Sequence, residues 1–252
     1  FRSPLPFSDL HDNVSMYVEQ LFARSTEFGA TMLYACFPNT YIDPNRDELD
    51  IDPELVEADQ WPEPLNPTVS KRGLGLLKSV SRYGDPLQER KLTYEDVERR
   101  LNRYHRPYNE ELTRVIRDKR HRFGYALQLS CHCMSAVGAP THPDKGQDRA
   151  DFCIADGEGT TSSAEALELL VETLRDRGHS VSINTPYTGG PLMTRNADPE
   201  NGVDSLMIET NKRLFMSIKS FERTEGFEST QASLTHATQV MADYAASRAE
   251  RS

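Results

Sequence analysis

The sequence predicts an α/β fold in which helices cover a central sheet. Apolar, strand-like runs alternate along the chain with segments of helical periodicity, the pattern of α/β proteins. One run, residues 125–130, has no charge, glycine or proline, as expected of a central strand buried on both faces. No flexible linker divides the 252 residues, so the sequence favours a single domain, residues 1–252.

The chain begins with a predicted helix and strand. Apolar residues recur at helical spacing over residues 10–28, Asp9 or Asp12 can serve as N-cap, and Gly29 ends the helix. Residues 31–37, a mostly apolar run, follow as a predicted strand.

A polar excursion follows this strand. Turn-forming and polar residues at 38–47 indicate a binding loop directly after a strand. Residues 47–88 are rich in proline and glycine, which predicts a long irregular connection with one short helix near 74–81. Irregular connections of this length are usually functional or disordered.

The middle of the chain predicts a long helix interrupted by proline. Residues 93–96 form a capping-box-like start with Asp96 in the place of Glu or Gln. Pro107 falls inside the apolar stripe that follows, so we expect a kink or break at residues 104–107.

The remaining elements alternate regularly. The loop 157–163 resembles a phosphate loop but lacks its lysine and spacing, which favours a plain loop with a helix N-cap. The segment 186–196 combines glycines with an arginine and suits closure over a ligand. The predicted elements are strands at 151–156, 179–184 and 203–211 and helices at 164–177 and 229–248.

The strongest candidate for chemistry follows the central strand. Alternation sends Ser130 and His132 to one face and Cys131 and Cys133 to the other, so the Cys-His-Cys triplet cannot close on one metal ion. A lone histidine at a strand end is more often structural than a ligand. A thiol enzyme using Cys133 beside His132 is a weaker alternative, since adjacent strand residues point apart.

Composition excludes several classes of function. A net charge of −10 disfavours nucleic acid and anionic membranes as partners, and no apolar run reaches the roughly 18 residues of a membrane span. Four cysteines without a Cys-x-x-Cys pair indicate reduced thiols in a cytoplasmic protein. The basic run 117–122 is typical of the solvated end of a helix.

Several motifs in order resemble the N-formylglutamate amidohydrolase family over nearly the whole chain. They are Tyr-Ile-Asp-Pro-Asn-Arg at 41–46, Arg-Tyr-His-Arg-Pro-Tyr at 103–108, Cys-His at 131–132, Tyr-Thr-Gly-Gly to Thr-Arg at 187–195 and Ile-Glu-Thr-Asn at 208–211. The resemblance implies a zinc-dependent exopeptidase-like fold with a mixed central sheet. It also implies hydrolysis of an N-acyl amino acid such as N-formylglutamate by a metal-bound water.

Roles carry over to the matching positions. The resemblance makes His132 a zinc ligand and Glu209 the general base, and it implies a small carboxylate as substrate. Predicted substrate contacts are Arg46, Arg195, Asn45 and Asn211. Glu209 also stands near the end of an apolar strand, where a partly desolvated carboxylate suits a general base, although such a residue is more often a solvated strand end.

Other family positions hold different residues. The family's Pro-His-Ser-Gly turn, which carries its first metal histidine, is not found in this sequence. His11 and Asp12 are possible substitute ligands, although both fit a polar helix entrance better. The family's acidic ligand falls at Val14 and Ser15, its aspartate before the strand histidine at Ser130, the following serine at Cys133, and two histidines at Asn109 and Asn196.

Two functions therefore remain open from the sequence. The first is a metal-dependent amidohydrolase with an altered ligand set. The second is a non-catalytic relative that binds small carboxylates or a protein partner. Both require the side chains at positions 46, 132, 195 and 209 to converge on one cavity, and neither fixes the oligomeric state.

Overall fold

The structure is a computed structural model that describes residues 3–12, 14–81 and 83–250. The chain divides into two compact units. The first unit comprises Phe1–Ser15, Ala35–Glu111 and Ala139–Gly146; the second comprises Met16–Tyr34, Leu112–Gly138 and Gln147–Ser252. Within the described residues, no helix has the length and apolar character needed to cross a bilayer.

The second unit contains a four-stranded mixed sheet. Its strands are β1 Ala126–Met134, β2 Phe152–Ala155, β3 Val181–Ile183 and β4 Val203–Asn211, in the order β1-β4-β2-β3. β1 is parallel to β4 and β2 is parallel to β3, whereas β2 and β4 are antiparallel. The predicted mixed central sheet is confirmed, and so are its four strands from 125 onward: β4 has the expected bounds, and the ends of the other three differ by one to four residues.

Helices pack on both faces of this sheet. The α-helices of the described chain are α1 Phe7–Asp12, α2 Val18–Leu21, α3 Tyr94–Arg100, α4 Arg106–Phe123, α5 Ala164–Asp176, α6 Pro191–Thr194 and α7 Gly226–Ala249. α7 contacts β1 and α5, and the Tyr125 ring packs edge-on against Tyr244 of α7. On the other face, Gln128 of β1 donates a hydrogen bond to the Leu192 carbonyl of α6 at 3.2 Å.

α5 and α7 confirm the predicted helices. Ser163 caps α5 by accepting a hydrogen bond from the Ala166 amide, and Gly178 ends it in the left-handed region at φ 85°. In the preceding loop, 157–163, backbone amides bond to a neighbouring residue of the chain. The Gly159 N–H donates to the Asp156 carboxylate, and the Thr161 N–H donates to the Asp156 carbonyl. The loop is therefore a helix entrance rather than an anion cradle.

The N-terminal predictions are wrong in two places. The predicted helix at 10–28 is divided into α1, α2 and a 3-10 turn at Ala23–Phe28. Tyr17 adopts φ 64°, which no α-helix allows, and its hydroxyl donates to the Phe221 carbonyl at 2.8 Å. The side chain of Asp12 lies outside the described structure. Residues 31–37 form no strand, because none of them is buried and none pairs with the sheet.

The helix around Pro107 is interrupted as predicted. Thr93 caps α3 by accepting from the Asp96 amide at 3.1 Å. A π-helical turn, Leu101–His105, then separates α3 from α4. Because proline has no N–H for the ladder, the extra residue of the π-turn accommodates it at the start of α4.

The first unit has a core built mainly from irregular chain. The predicted irregular excursion at 47–88 is confirmed, but the prediction of a short helix near 74–81 is wrong. The described part of this segment has 3-10 turns at Pro53–Leu55, Ala58–Gln60 and Val69–Arg72. Leu76 and Leu77 are instead fully buried in the core as irregular chain. The cluster comprises Ile42, Ile51, Leu55, Val56, Leu76, Leu77, Leu92, Val97 and Leu101.

A buried aspartate organises this excursion. Asp50 is 3% exposed and accepts hydrogen bonds from the Thr68 amide and hydroxyl, both at 2.7 Å, and from the Ser70 amide at 3.1 Å. Burial acts to raise the pKa of this carboxyl, but the hydrogen bonds from Ser70 and Thr68 together outweigh burial and hold the pKa below its usual value.

Folding therefore favours the ionised form of Asp50, so the stability of the fold should depend on pH. A carboxyl whose pKa is lowered by folding contributes stability above its unfolded-state pKa of about 3.9, and this stability is lost as pH falls through the folded-state pKa. We expect Asp50→Asn to lower the free energy of unfolding at neutral pH and to remove that acid dependence. Urea unfolding from about pH 7 to pH 3, with exposed Asp59→Asn as control, measures both. Parallel pH profiles for wild type and Asp50→Asn would contradict this expectation.

A second buried carboxylate joins β4 to the start of β1 and to α5. Asp204 is 2% exposed and accepts from the Tyr125 hydroxyl at 2.7 Å, the Ser163 amide at 3.0 Å and the Ser163 hydroxyl at 2.9 Å. Burial, followed by the hydrogen bond to Asp204, raises the pKa of Tyr125. The phenol thus stays protonated as the donor.

We expect Asp204→Ala to lower the free energy of unfolding by roughly 2–4 kcal/mol, because buried donors lose a charged acceptor. Tyr125→Phe should cost about 1–2 kcal/mol, since it removes one of the donors. Glu172→Ala, which removes an exposed ion pair with Arg175, is the control and should change stability by less than about 1 kcal/mol. Equal values for Asp204→Ala and the control in urea unfolding would refute a structural role for this network.

Candidate active site

One face of the sheet carries the predicted metal ligand and the predicted base side by side. His132 of β1 and Glu209 of β4 are register partners in the parallel pair. Residues paired at the same register position point to the same face, on strands about 4.8 Å apart. His132 was expected just after the strand, but β1 continues to Met134, so this histidine lies within it. Glu209 is 9% exposed near the end of β4.

The same row continues onto β2. Cys153 is the antiparallel register partner of Glu209 and is fully buried. Burial raises the pKa of the Cys153 thiol, and the charge of Glu209 raises it further. The protonated thiol donates to the Tyr187 carbonyl at 3.6 Å. Sequence patterns identified the strand of Cys153 but gave no indication that it pairs with β4.

Ser130 fixes the His132 ring. The Ser130 hydroxyl lies 3.0 Å from His132 Nε2, which confirms that these residues share a face. Cys131 and Cys133 lie on the opposite face. Burial raises the pKa of the Cys131 thiol to about 12. Because Cys133 lies on the face opposite His132, the thiol alternative is disfavoured.

The donors of the described residues do not fit a catalytic zinc ion. Such an ion normally has three protein ligands, and no group of three or more His, Cys, Asp or Glu side chains among the described residues could hold a metal. His11, a predicted substitute, belongs to α1 in the first unit, where its ring stacks on Phe7 at 5.3 Å. Val14 and Ser15 follow α1 and supply no metal-binding acid.

Arg195 follows α6 on the face that carries His132 and Glu209. Met193 of α6 packs against Met207 of β4 and Ala155 of β2. The short helix therefore lies over the row next to Glu209, and Arg195 at its end is exposed. Its predicted contact with a substrate carboxylate stays a prediction.

Asn211 has a structural role in this unit. Its side chain is fully buried and donates to the Ala150 carbonyl at 3.0 Å and, more weakly, to the Arg149 carbonyl at 3.4 Å. Its oxygen accepts from the Arg213 amide at 3.1 Å. These bonds tie the end of β4 to the chain before β2, and a substrate contact of Asn211 also stays a prediction.

Arg46 and Asn45 belong to the first unit, in a rigid turn. The Asn45 amide donates to the Asp43 carboxylate at 3.0 Å, and Arg46 Nε donates to the Leu74 carbonyl at 2.7 Å. His105 Nε2 lies 2.8 Å from the Arg46 carbonyl, and Asn109 donates to the Pro44 carbonyl at 3.1 Å. The π-turn and α4 thus hold this turn in place. Substrate roles for Arg46 and Asn45 stay predictions.

Arg149 is a residue that sequence reasoning missed. It is 5% exposed, and its Nη1 donates to the Tyr187 hydroxyl at 2.9 Å and to the Ser135 hydroxyl at 3.1 Å. The sequence places Arg149 at the end of a polar loop, and nothing there singled it out. The informative signal was its position three residues before the buried strand β2, since a buried arginine is almost always paired.

Comparisons with known proteins agree with this architecture. A model of the N-formylglutamate amidohydrolase family matches residues 2–216. The crystal structure of N-formylglutamate amidohydrolase from Ralstonia eutropha JMP134 is 35% identical, with a TM-score of 0.88, over 96% of this chain and 87% of that chain. Comparison with curated protein sequences gave no match.

A second crystal structure shares the fold alone. It is a gene product from Agrobacterium tumefaciens that is 16% identical, with a TM-score of 0.63, over 94% of this chain and 77% of that chain. Because the family model spans most of the chain and the Ralstonia protein is 35% identical over nearly all of it, this chain belongs to the N-formylglutamate amidohydrolase family.

Proposed function

We propose that this chain hydrolyses the amide bond of an N-formyl or N-acyl amino acid, with N-formylglutamate as the first substrate to test. Membership of the family and the name of the Ralstonia relative support the substrate class. The observation that carries the proposal is the pairing of His132 with Glu209 on one face of the sheet. The zinc-dependent exopeptidase-like architecture remains part of the proposal, as does a cytoplasmic location, which four free cysteines support.

Glu209 is the proton acceptor in this proposal. Water attacks the acyl carbon while a Glu209 carboxylate oxygen takes one of its protons. When the C–N bond breaks, that proton passes to the leaving nitrogen, which yields a carboxylic acid and a free amino acid. The low exposure of Glu209 keeps bulk water away from this transfer.

His132 and Arg195 complete the proposed site. The Ser130 hydroxyl holds the His132 ring in one orientation beside Glu209. His132 can then donate a hydrogen bond to the oxygen that becomes negative in the tetrahedral intermediate. Arg195, exposed at the end of α6, binds the substrate carboxylate through its planar fork of donors.

Carboxylate binding without turnover is a second candidate function. The observation that favours it is the donor set around His132, which does not fit catalytic zinc among the described residues. Under this alternative, N-formylglutamate binds in the presence of a chelator and releases no formate.

Glu209→Gln tests the hydrolase directly. We expect kcat for formate release to fall by about 10²–10⁴-fold with little change in KM, because the amide keeps the shape and loses the basic oxygen. Glu172→Gln on the exposed face of α5 is the control. The hydrolase proposal is contradicted if wild-type protein binds N-formylglutamate in calorimetry but releases no formate, with or without added zinc. That result would favour carboxylate binding without turnover.

Ser130→Asp tests the metal question. It restores the acid that the family carries beside the strand histidine, so we expect zinc affinity in calorimetric titration to rise by about tenfold or more. Ser130→Asn has nearly the same shape and is a poor zinc ligand, which makes it the matched control. Equal zinc affinities for the two variants would show that His132 does not lie in a metal site.

A further inference from the structure

A small hairpin fixes the backbone of Arg149 beyond the end of β1. Val137 and Asp148 form an antiparallel bridge, and the Arg149 amide donates to the Ala136 carbonyl at 2.9 Å. The Arg149 side chain then returns to the hydroxyl of Ser135. The guanidinium is therefore held at the end of the strand that carries His132.

The guanidinium also holds Tyr187. Arg149 Nη1 donates to the Tyr187 hydroxyl at 2.9 Å, and the guanidinium carbon lies 5.1 Å from the centre of the Tyr187 ring. The ring packs against the cluster formed by Ala155, Met193 and Met207. Tyr187 thus joins the arginine to the apolar contact between α6 and β4.

The main chain at Arg149 also contacts β4, the strand that carries Glu209. The carbonyls of Arg149 and Ala150 accept the side-chain amide of Asn211, two residues after Glu209 in β4. One buried residue therefore contacts the ends of β1 and β4 and the segment that leads to Arg195.

We propose that Arg149 is a positioning residue, which fixes the segment ending at Arg195 against β1 and β4. The inference rests on the proposed function for its effect on substrate, but not for its effect on structure. A guanidinium suits this task because its donors are planar and permanently charged, so that hydroxyl acceptors are held in fixed directions. Tyr187 transmits the constraint by packing against the cluster formed by Ala155, Met193 and Met207, which includes a residue of α6.

Hydrogen exchange tests the structural part without requiring activity. We expect the amides of Met193 and Ala197, which bond to the Gly190 and Met193 carbonyls, to exchange about tenfold faster or more in Arg149→Met. Tyr187→Phe keeps the ring packing and loses the acceptor, so it should show the same change if Arg149→Met fails to fold. Arg149→Lys should recover part of the protection. Arg117→Met, at an exposed position of α4, is the control.

A double-mutant cycle with Arg195→Ala tests the functional part. We expect Arg149→Met to raise KM for N-formylglutamate by about tenfold in the wild-type background and by less than about threefold in the Arg195→Ala background. The effects are not additive because both substitutions weaken the same contact, that of Arg195 with the substrate carboxylate. Unchanged exchange in both Arg149→Met and Tyr187→Phe, or additive effects on KM, would overturn the inference. If the wild-type protein does not hydrolyse N-formylglutamate, the proposed hydrolase function is wrong. The hydrogen-exchange rates of the Arg149 and Tyr187 variants still decide the structural role of Arg149.

Discussion

The parallel pairing of β1 with β4 is the constraint on which the candidate site depends. In this register His132 stands beside Glu209, and a slip of one residue would turn either side chain to the opposite face. Polar contacts fix the register from both sides of the sheet. Tyr125 bonds to Asp204 on the face covered by α7, and Gln128 bonds to Ser205 at 2.9 Å on the other.

The two faces of this sheet have different tasks. On the face covered by α5 and α7, the buried charge of Asp204 is satisfied by Tyr125 and by the cap of α5, so one carboxylate secures both the strand pair and a helix start. The opposite face bears the row of His132, Glu209 and Cys153. In the described part of the second unit, α4 covers one end of this face through Ile116, which packs with Ala126 and Val203, and α6 lies over Met207 next to Glu209.

The first unit shows how irregular chain can form a packed core and hold a turn in place. Asp50 accepts hydrogen bonds from the backbone amides of Thr68 and Ser70 at the start of one 3-10 turn, and leucines of the excursion fill the core with little regular secondary structure. The π-turn before Pro107 buries His105, whose ring meets the Arg46 carbonyl. An irregularity in one helix thereby fixes the turn that displays Arg46.

The sequence by itself determined the elements whose signals are local. Alternation placed Ser130 and His132 on one face, periodicity gave α5 and α7, and Pro107 located the break, because each depends on residues a few positions apart. Only the tertiary structure decided which strands are neighbours, and with that the meeting of His132, Glu209 and Cys153. It also decided that Tyr17 breaks a predicted helix and that Arg149 is buried. These outcomes depend on hydrogen bonds between residues far apart in the chain, which no local pattern encodes.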